Sequence, residues 1–279
     1  MASKIRLLVA MDMLFLLFLA LSGSTSGAVS EIFFYLAFLA PILVALNHLY
    51  TPSESSHASW ENAKSVMIRD LKEDFSLSKE DALFTLPILV PAICLVMGVS
   101  YLTASFMGLF GYENARAFEE PFFASVITHA LVPAILEELL FRFAPIKLLK
   151  DNGKCAFILS SVMFAFAHVS LFQIPYALLA GMIFALLYMA TGSILPSMVL
   201  HFLNNLLSLL SIYGYLGAWV YPTIAALFVA SVFVILKRRN YFKERAVAIF
   251  KKGEKLELSY HPIIFIATTL VLSISSLIA

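Results

Sequence analysis

Charge is scarce in this sequence: Asp, Glu, Lys and Arg together make up 13% of its 279 residues, against roughly 25% in an ordinary soluble domain. A chain this poor in charge cannot cover itself with a water-facing shell, which excludes a soluble enzyme. With so much apolar material it is not a disordered segment either. The two signs nearly cancel, leaving a net charge of +1, so no overall basic field points to a nucleic-acid partner. Cysteine occurs only twice, as Cys94 within one apolar run and Cys155 at the start of another. Two residues so placed make neither a disulfide framework nor a metal-ligand pattern, and each reads as a buried thiol.

What the chain has in excess is apolar surface. Hydrophobic residues make up 61% of it, with 25 phenylalanines among them. Its solvent is therefore largely lipid. A hydrocarbon core about 30 Å thick is crossed by roughly 20 apolar residues in a helix. Runs approaching that size extend from Ile5 to Ser22, Ile32 to Tyr50, Leu83 to Ala104, Phe122 to Ala144, Cys155 to Leu171, Ile174 to Thr191, Ile194 to Ile212, Ala218 to Leu236 and Pro262 to Ile278. They predict an all-α, polytopic transmembrane helical bundle of about nine spans, forming a single integral-membrane domain over residues 1–279 in the cell membrane.

Basic loops stay on the cytoplasmic side, and acidic residues count for little in this rule. A cytoplasmic N-terminus keeps inside Lys4, Arg6, Lys64, Arg69, Lys72, Lys79, Lys147, Lys150, Lys154 and the whole basic stretch from Lys237 to Lys255, leaving only Arg116 outside. The first run also has features of a signal peptide, with small residues from Ser22 to Ala28. Asp12 interrupts it, so it is read as a retained anchor; cleavage would leave eight spans. Residues 51–81 space Trp60, Met67, Ile68, Leu71 and Phe75 among charges, which predicts an amphipathic helix on the cytoplasmic membrane surface. Ser78 followed by Asp81 reads as the cap that starts the third span. Residues 237–260 read as a basic cytoplasmic loop that contacts anionic lipid headgroups.

Ionisable groups at membrane depth cost at least a few kcal/mol, so the polar residues inside the spans carry the information. Glu137, Glu138 and Arg142 interrupt the fourth span, His168 the fifth, and His201, Asn204 and Asn205 the seventh. Glu138 and Arg142, four apart, share a helix face with the acid N-terminal, the favourable order for an ion pair. Glu137 points about 100° away and lacks that partner. Phe164 and His168 are likewise four apart, as are His201 and Asn205. Unsatisfied imidazoles and amides are costly in hydrocarbon, so three helices are expected to turn these groups toward one polar cluster. Asn204, Asp12, His48, His57, His129 and His261 share no face with another candidate and read as structural or surface positions. Phe164 reads as packing. Ser160 and Ser161 form no recognisable nucleophile-base pair with His168.

The series Glu137-Glu138-Leu-Leu-Phe-Arg142, Phe164-Ala-Phe-Ala-His168 and His201-Phe-Leu-Asn-Asn205 resembles the CAAX-protease and bacteriocin-processing (CPBP) family of intramembrane glutamic endopeptidases. The turn Thr191-Gly192-Ser193-Ile194 extends the likeness, which covers residues 122–211. Phe143 departs from the small residue many members carry there. The resemblance implies Glu137 as the general base that activates a water with His168, His201 and Asn205 as donors to the oxyanion, and Glu138 and Arg142 as a supporting pair. It implies no cofactor, and substrates that are lipidated CAAX-like proteins or membrane-proximal peptides. The cavity holding these groups is expected to open toward the cytoplasm. Two histidines and a carboxylate also make zinc a competitor, with His168, His201 and Glu137 as ligands, although H-E-x-x-H is lacking. A non-catalytic scaffold or immunity protein with the same polar core is the rival from another class, and a proton-coupled transporter the third reading.

Overall fold

The computed structural model describes residues 2–51, 60–112, 120–250, 263 and 266–271, and every regular element among them is helical. Helices α1 (Ala2–Gly23) and α2 (Gly27–Tyr50) form a hairpin, followed by α3 (Trp60–Asp74) and α4 (Lys79–Gly108). The long α5 (Phe122–Leu148), the short α6 (Gly153–Ala167), α7 (Ile174–Thr191) and α8 (Leu195–Ile212) come next, then α9 (Val220–Lys237) and α10 (Arg239–Phe250).

Six of these, α1, α2, α4, α5, α7 and α8, are long and apolar enough to cross a membrane. They correspond to six of the nine expected spans. The fifth and eighth runs give the shorter apolar helices Gly153–Ala167 and Pro222–Lys237. The fifth stops early because the chain turns at His168 and Val169, where φ is +46°. The ninth lies mostly outside the described residues, although Ile263 and 266–271 are helical. His57 and His261 also lie outside them, as does the end of the basic stretch after Phe250.

Lipid-facing composition explains the outer surface, where Leu43, Leu102, Phe123 and Val229 are each more than 60% exposed. Inside, Phe15 of α1 packs edge-on against Phe38 of α2 and Phe141 of α5, with ring centroids 5.1 and 5.5 Å apart. Asp12 is also buried here, 1% exposed, and neither carboxylate oxygen has a hydrogen-bond partner. It is not a surface residue; the α1–α2 packing encloses it.

One end of the bundle gathers the basic segments. Lys4 pairs with Asp151 at 3.0 Å, Lys147 with Asp74 at 2.7 Å and Arg245 with Asp81 at 2.8 Å, which brings the starts of α1 and α4, the ends of α3 and α5 and the helix α10 together. Ser78 caps α4 as expected, its hydroxyl accepting the Asp81 N–H. The turn between α7 and α8 docks on the end of α3: the Ser193 hydroxyl and the Ile194 N–H both donate to the Asp74 carbonyl, and the Tyr188 hydroxyl donates to the Asp74 carboxylate. Gly192 permits this turn because its φ of +71° is one that other L-residues rarely adopt. Burial raises the Asp74 carboxyl above its ordinary value, and the Lys147 ammonium and the Tyr188 hydroxyl oppose that rise.

Candidate active site

The helix carrying both glutamates is wound loosely in two places. In the π-turns Val126–Leu131 and Leu139–Phe143, the Val132 N–H bonds the Ile127 carbonyl and the Ala144 N–H bonds the Leu139 carbonyl, each five residues back. Each turn closes one residue before a proline, Pro133 or Pro145, whose missing N–H already interrupts the regular ladder. Such bulges recur at functional sites. The second begins immediately after Glu138.

Glu138 and Arg142 still meet across that turn, at 3.2 Å, and both side chains are fully buried. The guanidinium lies 3.7 Å from the centre of the Phe164 ring and 5.0 Å from that of Phe184. Two aromatic faces thus take the place of water around a buried cation. Phe164 is accordingly more than packing, since its ring also meets His168 and His201 edge-on, with centroids 4.8 and 5.7 Å away.

His201 sits between the two acids. Its Nδ1 donates to Glu138 Oε1 at 2.9 Å, which fixes the proton on that nitrogen and turns Nε2 toward Glu137 Oε2, 3.8 Å away. That gap is too long for a direct hydrogen bond. The ring is held flat against Phe184, with centroids 5.0 Å apart and an interplanar angle of 23°. His168 caps α6, where its Nδ1 donates to the Phe164 carbonyl at 2.8 Å. Because a carbonyl only accepts, the remaining His168 Nε2 carries a lone pair. Val169, directly after it, has positive φ, which costs a β-branched residue roughly 1–2 kcal/mol; the turn that sets His168 in place is strained.

These groups meet in one cavity of about 890 Å³, lined by Glu137, Phe164, His168, Phe184, His201 and Asn205 and continued by residues of α2, α4, α5, α7 and α8. A deeper position for His168 would have prevented this. The early end of α6 brings it level, within electrostatic reach of Glu137 and His201. Glu138 and Arg142 lie behind the wall. Two polar residues read from sequence as structural or surface positions also line the cavity, Asn204 and His129. The Asn204 Oδ1 is buried without a hydrogen-bond partner, while His129 is exposed and lies 3.7 Å from Glu120. Asn204 follows His201 by three residues and so lies on the same face of α8 as His201, Asn205 and Ser208, which together line the cavity. Among the described residues no group of three or more His, Cys, Asp or Glu side chains is disposed to hold a metal ion.

Residues 119–207 match the family model of type II CAAX prenyl endopeptidase Rce1-like proteins. That family is one of proteases, and the match covers 89 of the chain's 279 residues. The Rce1-like segment includes every residue of the Glu-Glu-Arg, Phe-His and His-Asn series. No curated protein and no solved structure matches the chain.

The cavity's two ends differ. Toward the basic end it is closed by a buried cluster of Phe143, Tyr188, Ile194 and Met198, anchored by the Asp74 contacts. Its exposed lining residues, Tyr101, Ala104, His129, Ser211 and Ile212, lie away from the basic end.

Proposed function

We propose that the chain is an intramembrane endopeptidase in which Glu137 activates a water for attack on a peptide carbonyl. The observation that carries this reading is the approach of His201 Nε2 to Glu137 Oε2 at 3.8 Å inside a cavity that also holds His168 and Asn205. Glu137 lacks the buried counter-ion that Arg142 gives Glu138, so it is the acid free to take a proton. A water between Glu137 and an imidazole loses that proton to the carboxylate as its oxygen bonds the carbonyl carbon.

The negative charge formed on the carbonyl oxygen is met by the Asn205 amide and by His201 Nε2–H when that ring is protonated, with Glu138 at Nδ1 stabilising the imidazolium. Glu137 then returns its proton to the departing amine as the C–N bond breaks. Water and peptide become a carboxylate and an amine, and no covalent intermediate is needed. Glu138 and Arg142 act through His201, as positioning residues. A cavity of about 890 Å³ admits a short extended peptide segment.

The test is cleavage of a labelled peptide library by the purified, detergent-solubilised protein, with Glu137→Gln and His168→Ala beside it and a chelator in a parallel arm. The reading expects cut products that survive chelation and vanish in both folded variants. Loss of activity on chelation with recovery on added zinc would assign the histidines to a metal instead. A protein that cuts nothing, and whose cellular role survives Glu137→Gln, would be a scaffold.

A further inference from the structure

We infer that Ser160 and Ser197 are positioning residues of this site. Each hydroxyl grips the backbone of a neighbouring helix one turn behind a site motif, and so fixes the register of the side chains in front of it. The consequence for cleavage rests on the endopeptidase reading; the geometry stands without it.

Both serines extend a motif by one turn. Ser160, Phe164 and His168 are spaced by four, as are Ser197, His201 and Asn205, so each serine shares the helix face that carries the site residues. Both are fully buried, and neither lines the cavity. A serine inside a helix commonly returns its hydroxyl to the carbonyl four residues back, and Ser161 does so, donating to Phe157 at 2.7 Å. Ser160 and Ser197 reach across instead. The Ser160 hydroxyl donates to the Phe141 carbonyl of α5 at 2.5 Å, and the Ser197 hydroxyl to the Phe184 carbonyl of α7 at 2.8 Å.

Phe141 lies inside the π-turn Leu139–Phe143 that follows Glu138. In a regular helix its carbonyl would take the N–H of residue 145, and residue 145 is proline. Ser160 supplies from another helix the donor that Pro145 lacks. The turn therefore need not tighten to satisfy its backbone. Were it to lose its extra residue, the segment beyond it would rotate by about 100° relative to Glu138. Arg142 would then leave both Glu138, now 3.2 Å away, and the Phe164 ring that covers it at 3.7 Å. The helix that makes this grip is itself held firmly. At Gly181 of α7 an added Cβ would come within 3.1 Å of the Ser161 carbonyl, so α6 and α7 approach closely beside Ser160.

Ser197 acts in the same way on the imidazole. The Phe184 ring lies nearly flat on His201, with centroids 5.0 Å apart, and its face meets the Arg142 guanidinium at 5.0 Å. A hydrogen bond to the Phe184 backbone from one turn before His201 ties ring and imidazole to one register. With Ser160 behind Arg142 and Ser197 behind His201, the series Arg142, Glu138 and His201 is braced at both ends.

The test compares Ser160→Ala, Ser197→Ala and the control Ser161→Ala in the full-length, detergent-solubilised protein. Unfolding in micelles is measured beside cleavage of one identified peptide per folded molecule. Ser160→Ala is also combined with Pro145→Ala, whose restored N–H can serve the Phe141 carbonyl. Ser160→Ala is expected to lower the folding equilibrium constant about 3- to 20-fold by itself and hardly at all beside Pro145→Ala, a coupling that needs no activity. The kcat is expected to fall about 10- to 10²-fold in Ser160→Ala and in Ser197→Ala, with KM unchanged, and to keep the parent value in Ser161→Ala. In the Pro145→Ala/Ser160→Ala protein it should stay low although stability returns. A merely structural hydroxyl would lower the folded fraction and leave kcat as it was. Equal stability losses with and without Pro145, a parent-like kcat in either serine variant, an equal loss in Ser161→Ala, or a change confined to KM would each overturn the inference. A parent protein that cuts nothing would defeat the endopeptidase reading, while the stability cycle still decides whether Ser160 holds the turn.

Discussion

Removing both members of the buried ion pair separates its structural role from its catalytic one. Glu138 and Arg142 are fully buried and 3.2 Å apart, with Arg142 stacked on Phe164. Arg142→Met alone leaves a carboxylate enclosed with only the His201 Nδ1–H to face it, and losing one partner of such a pair costs about 3–5 kcal/mol. The double variant Glu138→Leu/Arg142→Met carries no buried charge. Apolar replacement of a whole pair is often neutral or stabilising, so its remaining loss is the unsatisfied His201 Nδ1–H, about 1–3 kcal/mol. Stability should thus fall sharply in the single variant and largely return in the double. Turnover should not return. Without Glu138 nothing fixes the His201 proton on Nδ1 or steadies the imidazolium, and cleavage is expected to drop on the order of 10²-fold or more. Unfolding in detergent micelles and peptide cleavage by the same preparations read the two quantities. A double variant as active as the parent would refute the positioning role, and an Arg142→Met protein as stable as the parent would refute the energetic one.

Three further outcomes are expected. Asp12 is buried with neither oxygen hydrogen-bonded, so Asp12→Leu should raise stability by about 1–3 kcal/mol in micelle unfolding without altering cleavage; a loss would mean that the carboxylate has a partner in the membrane. Gly181 lies where an added Cβ would come within 3.1 Å of the Ser161 carbonyl and 3.3 Å of the Phe164 ring. Gly181→Val should therefore cost about 1–3 kcal/mol and lower turnover through Phe164; unchanged unfolding would contradict the close approach of α6 and α7. Asp74 has its folded-state carboxyl raised above the ordinary value, so the folded protein binds more protons than the unfolded chain in the window between the two. Its contribution to stability is then greatest below the ordinary aspartate value of about 3.9 and declines as pH rises through the raised one. Unfolding measured across that window should show this slope in the parent and not in Asp74→Asn; an equal slope in both would refute it.

Much of the fold was legible because lipid imposes a simple rule: long apolar runs and basic flanks identify α1, α2, α4, α5, α7 and α8 directly. The cap at Ser78 and the pairing of Glu138 with Arg142 follow from spacing alone. The polar convergence was legible too, because Glu137, His168 and His201 break the rule at membrane depth. What sequence did not reveal lies in the third dimension. The left-handed Val169 ends α6 early and sets the level of His168, yet nothing in valine announces positive φ. Phe184 stacks on His201 but is one of 25 phenylalanines. Asn204 lines the cavity because, three residues after His201, it shares that face of α8 with Asn205, four after it.

The central claim is that Glu137 takes the proton from the attacking water, and single-turnover cleavage of one identified peptide tests it most directly. With the parent protein and Glu137→Gln matched for folded fraction and peptide binding, the substitution is expected to slow the chemical step by about 10²–10⁴-fold. A Glu137→Gln protein that cuts at the parent rate would contradict the account.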